Sequence, residues 1–509
     1  MHQGVSPFSC VSPAVAPVGK NFMRPIKLKL LIAVAIGGLA QLWGGRLSAQ
    51  PVVTPIGKVV VAEAVAHPPA GPAWAWNLPV YETDLDLATP SGKFREFEER
   101  LDTLKDLGIG IIWFLPIFPR GGNPPDKPRS NSPYCVRDYY DVNPHHGTRK
   151  EFKHLVAAVH ARGMYVIMDW VPNHTAWGND LVKTHPEFYR KDNAGRIVQA
   201  GPWADVAQLD YANRAVWEYM YAARKYWLTE FGVDGFREDV AVSVPREYWE
   251  WLRPKLNAIK PVFMLAEADM PALHPAFDMT YDWTSQVYFY MIARGSWPAG
   301  SLDRMLSEEK QTFPAGAVRM RHLTNHDMAR EEYAWDNRQH LDPSEYEFLK
   351  QTPLREKYRG GDRAFAVLCA TLPNSKPMIW NGQELGILAR TPRLQWNDNP
   401  YRAFYRTLLN AYRHNPALYA GAFSRITSSQ PEAVYAFGRQ SGSNQVVAVV
   451  NLAERAQSVT LNVGPAAGDY TEIFTAEPCR LAATAELELA PWAFKVFVTG
   501  TPQPTAKTP

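Results

Sequence analysis

Apolar positions along most of the chain alternate between helix-like stripes, spaced three or four residues apart, and the short continuous runs of buried strands. Three times, an amphipathic helical stretch ends at a glycine and a buried strand follows at the next residue. These glycines are Gly108, Gly163 and Gly232. The repetition of helix, glycine and strand is typical of a parallel sheet covered by helices.

Eight strands are predicted in this part of the chain. They are Pro79 to Glu82, Ile109 to Ile117, Met164 to Asp169, Val233 to Val240, Val262 to Glu267, Phe277 to Tyr281, Val318 to Leu323 and Pro377 to Trp380. Eight strands fit a closed (β/α)8 TIM barrel, although the count alone leaves a doubly wound sheet open. The stretch 175–211 is long for a strand-to-helix connection and indicates a loop excursion before the fourth strand.

The pattern of apolar positions changes near Asn415, where short strands separated by turn residues replace the helices. These strands are Val434 to Gly438, Val446 to Leu452, Ser458 to Val463 and Phe494 to Val498. The pattern predicts a barrel domain over 73–415 and an antiparallel β-domain over 416–499. The polar Pro/Thr-rich tail, 500–509, is expected to be disordered.

The N-terminal region is typical of a secretory signal peptide. Basic residues from Arg24 precede an apolar run, Leu30 to Trp43, that ends near small residues at Ala49. Residues 1–49 are therefore expected to be removed, with Met23 as an alternative start, and an uncleaved anchor is left open. A Pro- and Ala-rich linker follows over 50–72, and the mature protein is expected outside the membrane, secreted or periplasmic.

Composition limits the function classes. A hydrophobic content of 46% with 12% aromatics supports a sizeable core. A net charge of +3 gives no support for nucleic acid as a partner. The four cysteines, Cys10, Cys135, Cys369 and Cys479, lack metal-binding spacing. Because Cys10 lies in the segment expected to be removed, at least one thiol is expected to be free.

A charged pair lies in the fourth predicted strand, in Gly235-Phe236-Arg237-Glu238-Asp239. Alternate side chains of a strand share a face, so Arg237 and Asp239 point the same way and Glu238 points the other way. An arginine beside an aspartate keeps the carboxylate ionised and oriented, as a nucleophile requires. Taken alone, the pair fits a surface ion pair better. Glu238 faces the helices, where a buried carboxylate needs a partner that the sequence does not identify.

Three further strand-end segments carry related chemistry. They are Asp169-Trp170-Val171-Pro172-Asn173-His174, Leu265-Ala266-Glu267 and Thr324-Asn325-His326-Asp327. Together with the fourth-strand motif, and in the same order, they resemble the four motifs of the α-amylase family of glycoside hydrolases. The resemblance runs from about Trp76 to the C-terminal region and favours the (β/α)8 barrel over the doubly wound sheet.

The resemblance implies a role for each of three carboxylates. Asp239 matches the nucleophile, Glu267 the acid/base, and Asp327 the residue that holds sugar hydroxyls and steadies the charged transition state. Retaining hydrolysis needs the first two carboxyl groups about 5–5.5 Å apart. A neighbouring carboxylate is expected to raise the pKa of Glu267 and keep it protonated.

The resemblance also implies substrate-binding residues. His174 and His326 match the histidines that hydrogen-bond the sugar at the cleavage point, and Tyr134 matches a stacking tyrosine. Asp169 matches the structural partner of the arginine, here Arg237. A packed loop aromatic remains the alternative for Tyr134.

Two positions depart from the family pattern. Ser243 stands where many relatives have a histidine, four residues after the nucleophile. Gln208 stands where relatives have a calcium-binding aspartate, whereas Asn173, another usual ligand, is present. Calcium prefers several oxygen ligands, carboxylates above all, so the sequence leaves a calcium ion at Asn173 open and requires no other cofactor.

The sequence thus predicts a secreted retaining hydrolase that cleaves α-1,4 links in starch-like glucans or malto-oligosaccharides. A glucanotransferase, or an enzyme for cyclic or short maltodextrins on the same scaffold, is an alternative. A non-catalytic glucan-binding protein is an alternative of another class, disfavoured because all three carboxylates are present. Chain-length preference and oligomeric state do not follow from the sequence.

Overall fold

The computed structural model describes residues 71–329, 354–386, 396 and 399–499. The predicted signal peptide, the tail 500–509 and the linker 50–72, except for its last two residues, lie outside the described residues. Within the described ranges, no helix combines the length and apolar character needed to cross a membrane.

Eight parallel strands close into a barrel. They are β1 (Val80–Thr83), β2 (Ile111–Phe114), β3 (Tyr165–Trp170), β4 (Gly235–Glu238), β5 (Phe263–Ala266), β6 (Met279–Tyr281), β7 (Val318–Arg321) and β8 (Ser375–Trp380). Each strand pairs with its neighbours in chain order, and β8 pairs with β1. Val80 lies opposite Ile111 on one side and Met378 on the other. The predicted (β/α)8 barrel is confirmed, and each of its eight strands overlaps a predicted one.

The helices around the barrel follow the predicted apolar stripes. The helix Arg149–Ala161 begins at a capping box in which Thr148 and Glu151 bond each other's backbone. The helix Arg214–Tyr226 continues into a π-helical turn, Trp227–Phe231, and ends at Gly232, whose φ is +75°. The other described helices are Leu85–Ala88, Phe94–Glu98, Leu101–Asp106, Leu181–Thr184, Arg246–Asn257, Trp283–Ala293, Ser301–Thr312, His326–Ala329, Leu354–Lys357, Asp362–Thr371, Pro400–His414 and Pro416–Ala420.

Two apolar layers lie on the two sides of the barrel wall. The inner layer includes Trp113, Phe263 and Met320, and the outer layer packs the strands against the helices. Gly235 allows β4 and β5 to approach closely, because a Cβ there would lie 2.0 Å from the carbonyl oxygen of Phe263. Strand β4, which carries Arg237, must therefore begin with a glycine at position 235.

The excursion after β3 contains a small antiparallel sheet rather than only loop. Its three strands are His174–Ala176, Trp203–Gln208 and Gln199–Ala200, in that spatial order. The first strand starts four residues after β3 ends, so the sheet lies beside the carboxyl ends of the barrel strands. The predicted excursion is thereby confirmed, with more regular structure than the sequence indicated.

The C-terminal region is an eight-stranded antiparallel sheet, which confirms the predicted β-domain. Its strands are β9 (Ala422–Ser428), β10 (Val434–Ser441), β11 (Asn444–Asn451), β12 (Gln457–Asn462), β13 (Gly468–Glu472), β14 (Pro478–Leu481), β15 (Thr484–Leu489) and β16 (Phe494–Val498). Their order is β14-β13-β16-β11-β10-β9-β12-β15. The sequence predicted four of these strands, namely β10, β11, β12 and β16.

The buried carboxylate of Glu238 has a partner on the helix that precedes its strand. Arg224 donates from Nε and Nη2 to the two oxygens of Glu238, at 2.9 and 2.6 Å, and both side chains are fully buried. Its remaining nitrogen donates to the Tyr248 hydroxyl and to the carbonyl of Met220. The guanidinium also lies 4.5 Å from the ring centre of Trp170. The ion pair ties β4 to the helix Arg214–Tyr226 from outside the barrel.

Replacing Arg224 with methionine should be strongly destabilising, because Glu238 is then buried without its partner. We expect a loss of about 3–5 kcal/mol in the free energy of unfolding, measured by urea denaturation. Arg224→Met combined with Glu238→Met should recover most of that loss, since an apolar pair leaves no buried charge.

The exposed pair Arg246–Glu250 provides the control, with side chains 55% and 40% exposed. Arg246→Met should lower the free energy of unfolding by no more than about 1 kcal/mol. An Arg224→Met variant as stable as this control would show that Glu238 does not depend on Arg224.

Candidate active site

The three carboxylates that the sequence singled out lie just beyond the carboxyl ends of their strands. Asp239 follows β4, Glu267 follows β5, and Asp327 lies six residues beyond β7. The carboxyl ends of barrel strands meet at one face, which is where active sites of (β/α)8 barrels are built. All three side chains are largely buried, with 9, 15 and 13% of their surface exposed.

Arg237 connects two of these carboxylates. Its Nη1 donates to Asp239 Oδ1 at 2.8 Å and to Asp169 Oδ1 at 2.7 Å. Its Nη2 lies 2.9 Å from Glu267 Oε1, but the N–H does not point at that oxygen, so this is a charge contact rather than a hydrogen bond. Nε donates to the Tyr281 hydroxyl at 3.3 Å. One fully buried guanidinium thus holds Asp239 directly and lies between it and Glu267.

The two carboxyl groups differ in how firmly they hold a proton. Burial raises the pKa of Glu267 to about 8, and repulsion from Asp239 adds to it against the attraction of Arg237. Burial also raises the pKa of Asp239 to about 7, but the hydrogen bond from Arg237 opposes the rise. The two groups titrate together as a pair, and the hydrogen bond from Arg237 favours the negative charge on Asp239. Burial is a larger cause for Glu267 than the neighbouring carboxylate, which the sequence reasoning had put first.

Val240, the residue after Asp239, holds Glu267 in place through its backbone. Its φ of +44° and ψ of +43° lie in the left-handed region, which is strained for a β-branched residue. In this conformation its N–H donates to Glu267 Oε2 at 2.6 Å. The sequence offered no signal for this contact, since valine is a poor residue for that backbone conformation.

Tyr134 and His326 lie together in the site, as the resemblance implied. Their rings stack with centroids 5.5 Å apart, and the Tyr134 hydroxyl is 2.7 Å from His326 Nε2. The same nitrogen is 3.1 Å from Asp327 Oδ1. The Tyr134 hydroxyl donates to Asp169 Oδ2 at 3.0 Å. Tyr134 is therefore joined by hydrogen bonds to Asp169 and His326.

Two site residues were missed by sequence reasoning. Glu82, in β1, is fully buried, and its Oε1 lies 2.5 Å from His326 Nδ1. A carboxylate next to Val80 and Tyr81 in a predicted barrel strand was the available signal. Trp113, in β2, donates from Nε1 to Asp169 Oδ2 at 3.2 Å, and nothing in the sequence distinguished it from other core aromatics.

His174 reaches the same region from the excursion. Burial lowers the pKa of His174 to about 4, so the ring is neutral near pH 7, and it bonds the backbone of Tyr134. The Trp203 ring lies 5.6 Å from the His174 ring and is 36% exposed. An exposed indole beside His174 offers a flat apolar face of the kind on which sugar rings stack.

The residues around Asn173 do not fit a calcium ion. The Gln208 side-chain amide donates to the backbone oxygen of Asn173 at 2.9 Å and to its Oδ1 at 2.8 Å. It is also 3.2 Å from the carbonyl oxygen of Leu209. Calcium requires oxygen acceptors directed at one point, and here an N–H donor fills that point. The amide joins the excursion to the end of β3 without an ion.

A separate cluster of possible ligands is occupied by protein hydrogen bonds. The described residues contain one group of three metal-ligand side chains, Asp86, His145 and His146, with ligand atoms within 4.8 Å of one another. Arg120 donates to Asp86 Oδ2 at 2.9 Å, and His146 Nδ1 is 2.8 Å from the carbonyl oxygen of Gly92. These contacts provide hydrogen-bond partners for Asp86 and His146 without a metal.

An arginine held between an aspartate and a glutamate, at the carboxyl face of a (β/α)8 barrel, is typical of glycosidases that use two carboxyl groups. Comparisons with known proteins agree. Residues 80–196 match the family described as "Alpha amylase, catalytic domain". Alpha-amylase 2 of Dictyoglomus thermophilum is 25% identical over 417 residues, which are 75% of this chain and 67% of that protein.

Two further proteins show the same relationship. An intracellular maltogenic amylase of Bacillus subtilis is 32% identical over 193 residues, 35% of this chain and 31% of that protein. The crystal structure of the maltogenic α-amylase AmyB from Thermotoga neapolitana superposes with a TM-score of 0.71 at 28% identity, covering 83% of this chain and 99% of that one. The family match, the relatives and the superposed structure all support the α-amylase family of glycoside hydrolases.

The amide of Gln208 leads to a prediction about metal dependence. The melting temperature of the protein should be unchanged by a strong chelator, because no ion holds the excursion. Gln208→Asp should create a site with a carboxylate, so its melting temperature should fall in chelator and rise with added calcium. Differential scanning calorimetry measures both.

Gln199 is the matched control, since it is an exposed glutamine of the same small sheet. Gln199→Asp should show no response to calcium. A wild-type melting temperature that drops in chelator and is restored by calcium would mean that the Gln208 amide does not replace an ion.

Proposed function

We propose that this protein is a retaining hydrolase of α-1,4-glucosidic bonds in starch-like glucans or malto-oligosaccharides. The observation that carries the proposal is the single guanidinium of Arg237 in contact with both Asp239 and Glu267. A group that touches both carboxyls keeps them close together, which favours the short separation of retaining enzymes, about 5–5.5 Å, over the wider one of inverting enzymes.

In the first step, the Glu267 carboxyl donates its proton to the glycosidic oxygen as the bond from that oxygen to C1 breaks. Asp239 attacks C1 from the opposite face, and a β-linked ester to the enzyme forms. In the second step, the Glu267 carboxylate removes a proton from water. The water oxygen bonds to C1, the ester bond breaks, and Asp239 leaves as a carboxylate. Two inversions give a product with retained α configuration.

The surrounding groups prepare these steps. The hydrogen bond from Arg237 favours the ionised form of Asp239, which the attack requires. The backbone N–H of Val240 fixes one oxygen of Glu267 and leaves the carboxyl aligned for proton transfer. Asp327, held beside His326, supplies negative charge where the sugar ring becomes positive.

The named relatives support substrates of the maltodextrin type. They include alpha-amylases, maltogenic amylases and cyclomaltodextrinases. A glucanotransferase differs from a hydrolase only in whether a sugar or water accepts the intermediate. Incubation with a defined malto-oligosaccharide series, with and without an added glucose acceptor, separates the two activities and identifies the preferred chain length.

Azide should separate the roles of Asp239 and Glu267. With an activated aryl α-glycoside, Glu267→Ala should still form the enzyme ester, because a good leaving group needs little protonation. Azide attacks that β-linked ester from the opposite face and should yield the α-glycosyl azide. In Asp239→Gly, azide fills the space of the missing carboxylate and attacks the α-linked substrate directly, which should yield the β-azide. Proton NMR distinguishes the two anomers.

Asp327→Ala is the control, because it retains both the nucleophile and the acid/base, and azide should not restore its turnover. A β-azide from Glu267→Ala together with an α-azide from Asp239→Gly would mean that Glu267 is the nucleophile and Asp239 the acid/base.

We also propose that residues 1–49 direct export and are removed. The proposal is supported by the basic, apolar and small-residue order from Arg24 to Ala49. Expression of the full chain should give protein in the periplasm or medium whose N-terminal sequence starts near Gln50. Soluble cytoplasmic protein that retains Met1 or Met23 would place the enzyme inside the cell, as the name of the Bacillus subtilis relative states for that protein.

A further inference from the structure

Glu82 is a carboxylate that the proposed reaction leaves without a role. It lies in β1 and is completely buried. Its Oε1 is 2.5 Å from His326 Nδ1, while its Oε2 has no hydrogen-bond partner among the described residues. A buried carboxylate is costly unless its charge is compensated, so the contact with His326 needs an explanation.

The hydrogen bonds around His326 determine where its protons are. The Tyr134 hydroxyl has one hydrogen, which it donates to Asp169 Oδ2. Asp169 also accepts from Arg237 and Trp113, as an ionised carboxylate does. The Tyr134 oxygen can therefore only accept from His326 Nε2, and the other neighbour of that nitrogen, Asp327 Oδ1, is also an acceptor.

The second ring nitrogen of His326 faces the carboxylate of Glu82. If Nδ1 also donates, both nitrogens carry hydrogen and the ring is an imidazolium. The alternative is a proton on Glu82 and a neutral ring. Burial lowers the pKa of His326, but Asp327 and Glu82 outweigh it and raise that pKa to about 10. Burial also raises the pKa of Glu82, and His326 opposes the rise.

We propose that Glu82 is a positioning residue that keeps His326 doubly protonated, so that His326 in turn holds Asp327 ionised and oriented at the sugar site. A fixed cation beside Asp327 stabilises its negative charge, which the oxocarbenium-like transition state needs. Glu82 does not contact the substrate itself and acts through the ring of His326. The functional consequence rests on the proposed glycosidase activity, whereas the protonation state does not.

The other charged and titratable groups near His326 are compatible with a positive charge on His326 in addition to that on Arg237. Arg237, the second cation, acts on Glu82 at longer range. His322 is buried, its pKa is lowered to about 4, and the charge of His326 contributes to that lowering. Burial raises the pKa of Tyr281, and the negative charges of Glu267 and Glu82 add to that rise. The remaining ring neighbours, Trp113 and Trp380, carry no charge.

NMR of the whole protein with ¹⁵N-labelled histidine tests the proton placement directly. Long-range ¹H–¹⁵N correlations distinguish a ring with two protonated nitrogens from one with a bare nitrogen, and His326→Gln identifies the resonance. We expect both nitrogens of His326 to be protonated in the wild type at pH 7.5. In Glu82→Gln, one nitrogen should lose its hydrogen at a lower pH than in the wild type.

Glu384 supplies a matched control. It is also a buried glutamate near β1, but its carboxylate accepts from the Tyr81 hydroxyl at 2.9 Å rather than from a histidine. Glu384→Gln should leave the His326 resonance as in the wild type. A bare nitrogen on His326 in the wild type, or a His326 spectrum that Glu82→Gln leaves unchanged, would overturn the proposal.

Kinetics with malto-oligosaccharides test the consequence for Asp327. Glu82→Gln should lower kcat by about 10- to 100-fold with a much smaller change in KM, since the lost interaction acts in the transition state. Glu82→Asp, which retains the charge, should recover part of the loss. A change in KM alone, with kcat preserved, would contradict the positioning role even if the spectra agree. A wild type inactive on all glucans would instead refute the proposed function and leave the spectra valid.

Discussion

The active site depends on the buried charge of Arg237. A guanidinium removed from water is stable only among carboxylates, and Asp169, Asp239 and Glu267 surround it. The same requirement determines the chemistry. The hydrogen bond from Arg237 favours the ionised form of Asp239, whereas Glu267 has only a charge contact with the same guanidinium. In the proposed mechanism, the orientation of this one planar group therefore separates the acid from the nucleophile.

The strand that carries Arg237 is held from both sides. Inside the barrel, Arg237 joins three strand ends, and outside it the neighbouring Glu238 is bound by Arg224. Because successive residues of a strand face opposite ways, one short segment supports two separate buried ion pairs. Any shift of β4 would disturb both pairs, so the position of Asp239 is fixed by its neighbours on the chain as well as by its own contacts.

The parts of the fold that could be predicted from the sequence follow from periodicity and local motifs. Three of the barrel strands were found because each is a buried apolar run that directly follows a glycine at the end of a helix. The carboxylates were found because each lies in an ordered motif. Long-range partners were not found: Arg224 lies 14 residues from Glu238, and Glu82 lies 244 residues from His326. Strands such as β15 were missed because most of their residues are partly or fully exposed.

The amide of Gln208 has a consequence for how the excursion stays in place. A bound ion stabilises a fold by an amount that grows with the free ion concentration and vanishes on dilution. The Gln208 side chain, which donates to the backbone oxygen of Asn173, is instead part of the chain, so its amount does not depend on the medium. The hydrogen bonds of the Gln208 amide to Asn173 therefore keep their donor in an ion-poor medium, and forming them needs no encounter with a second species.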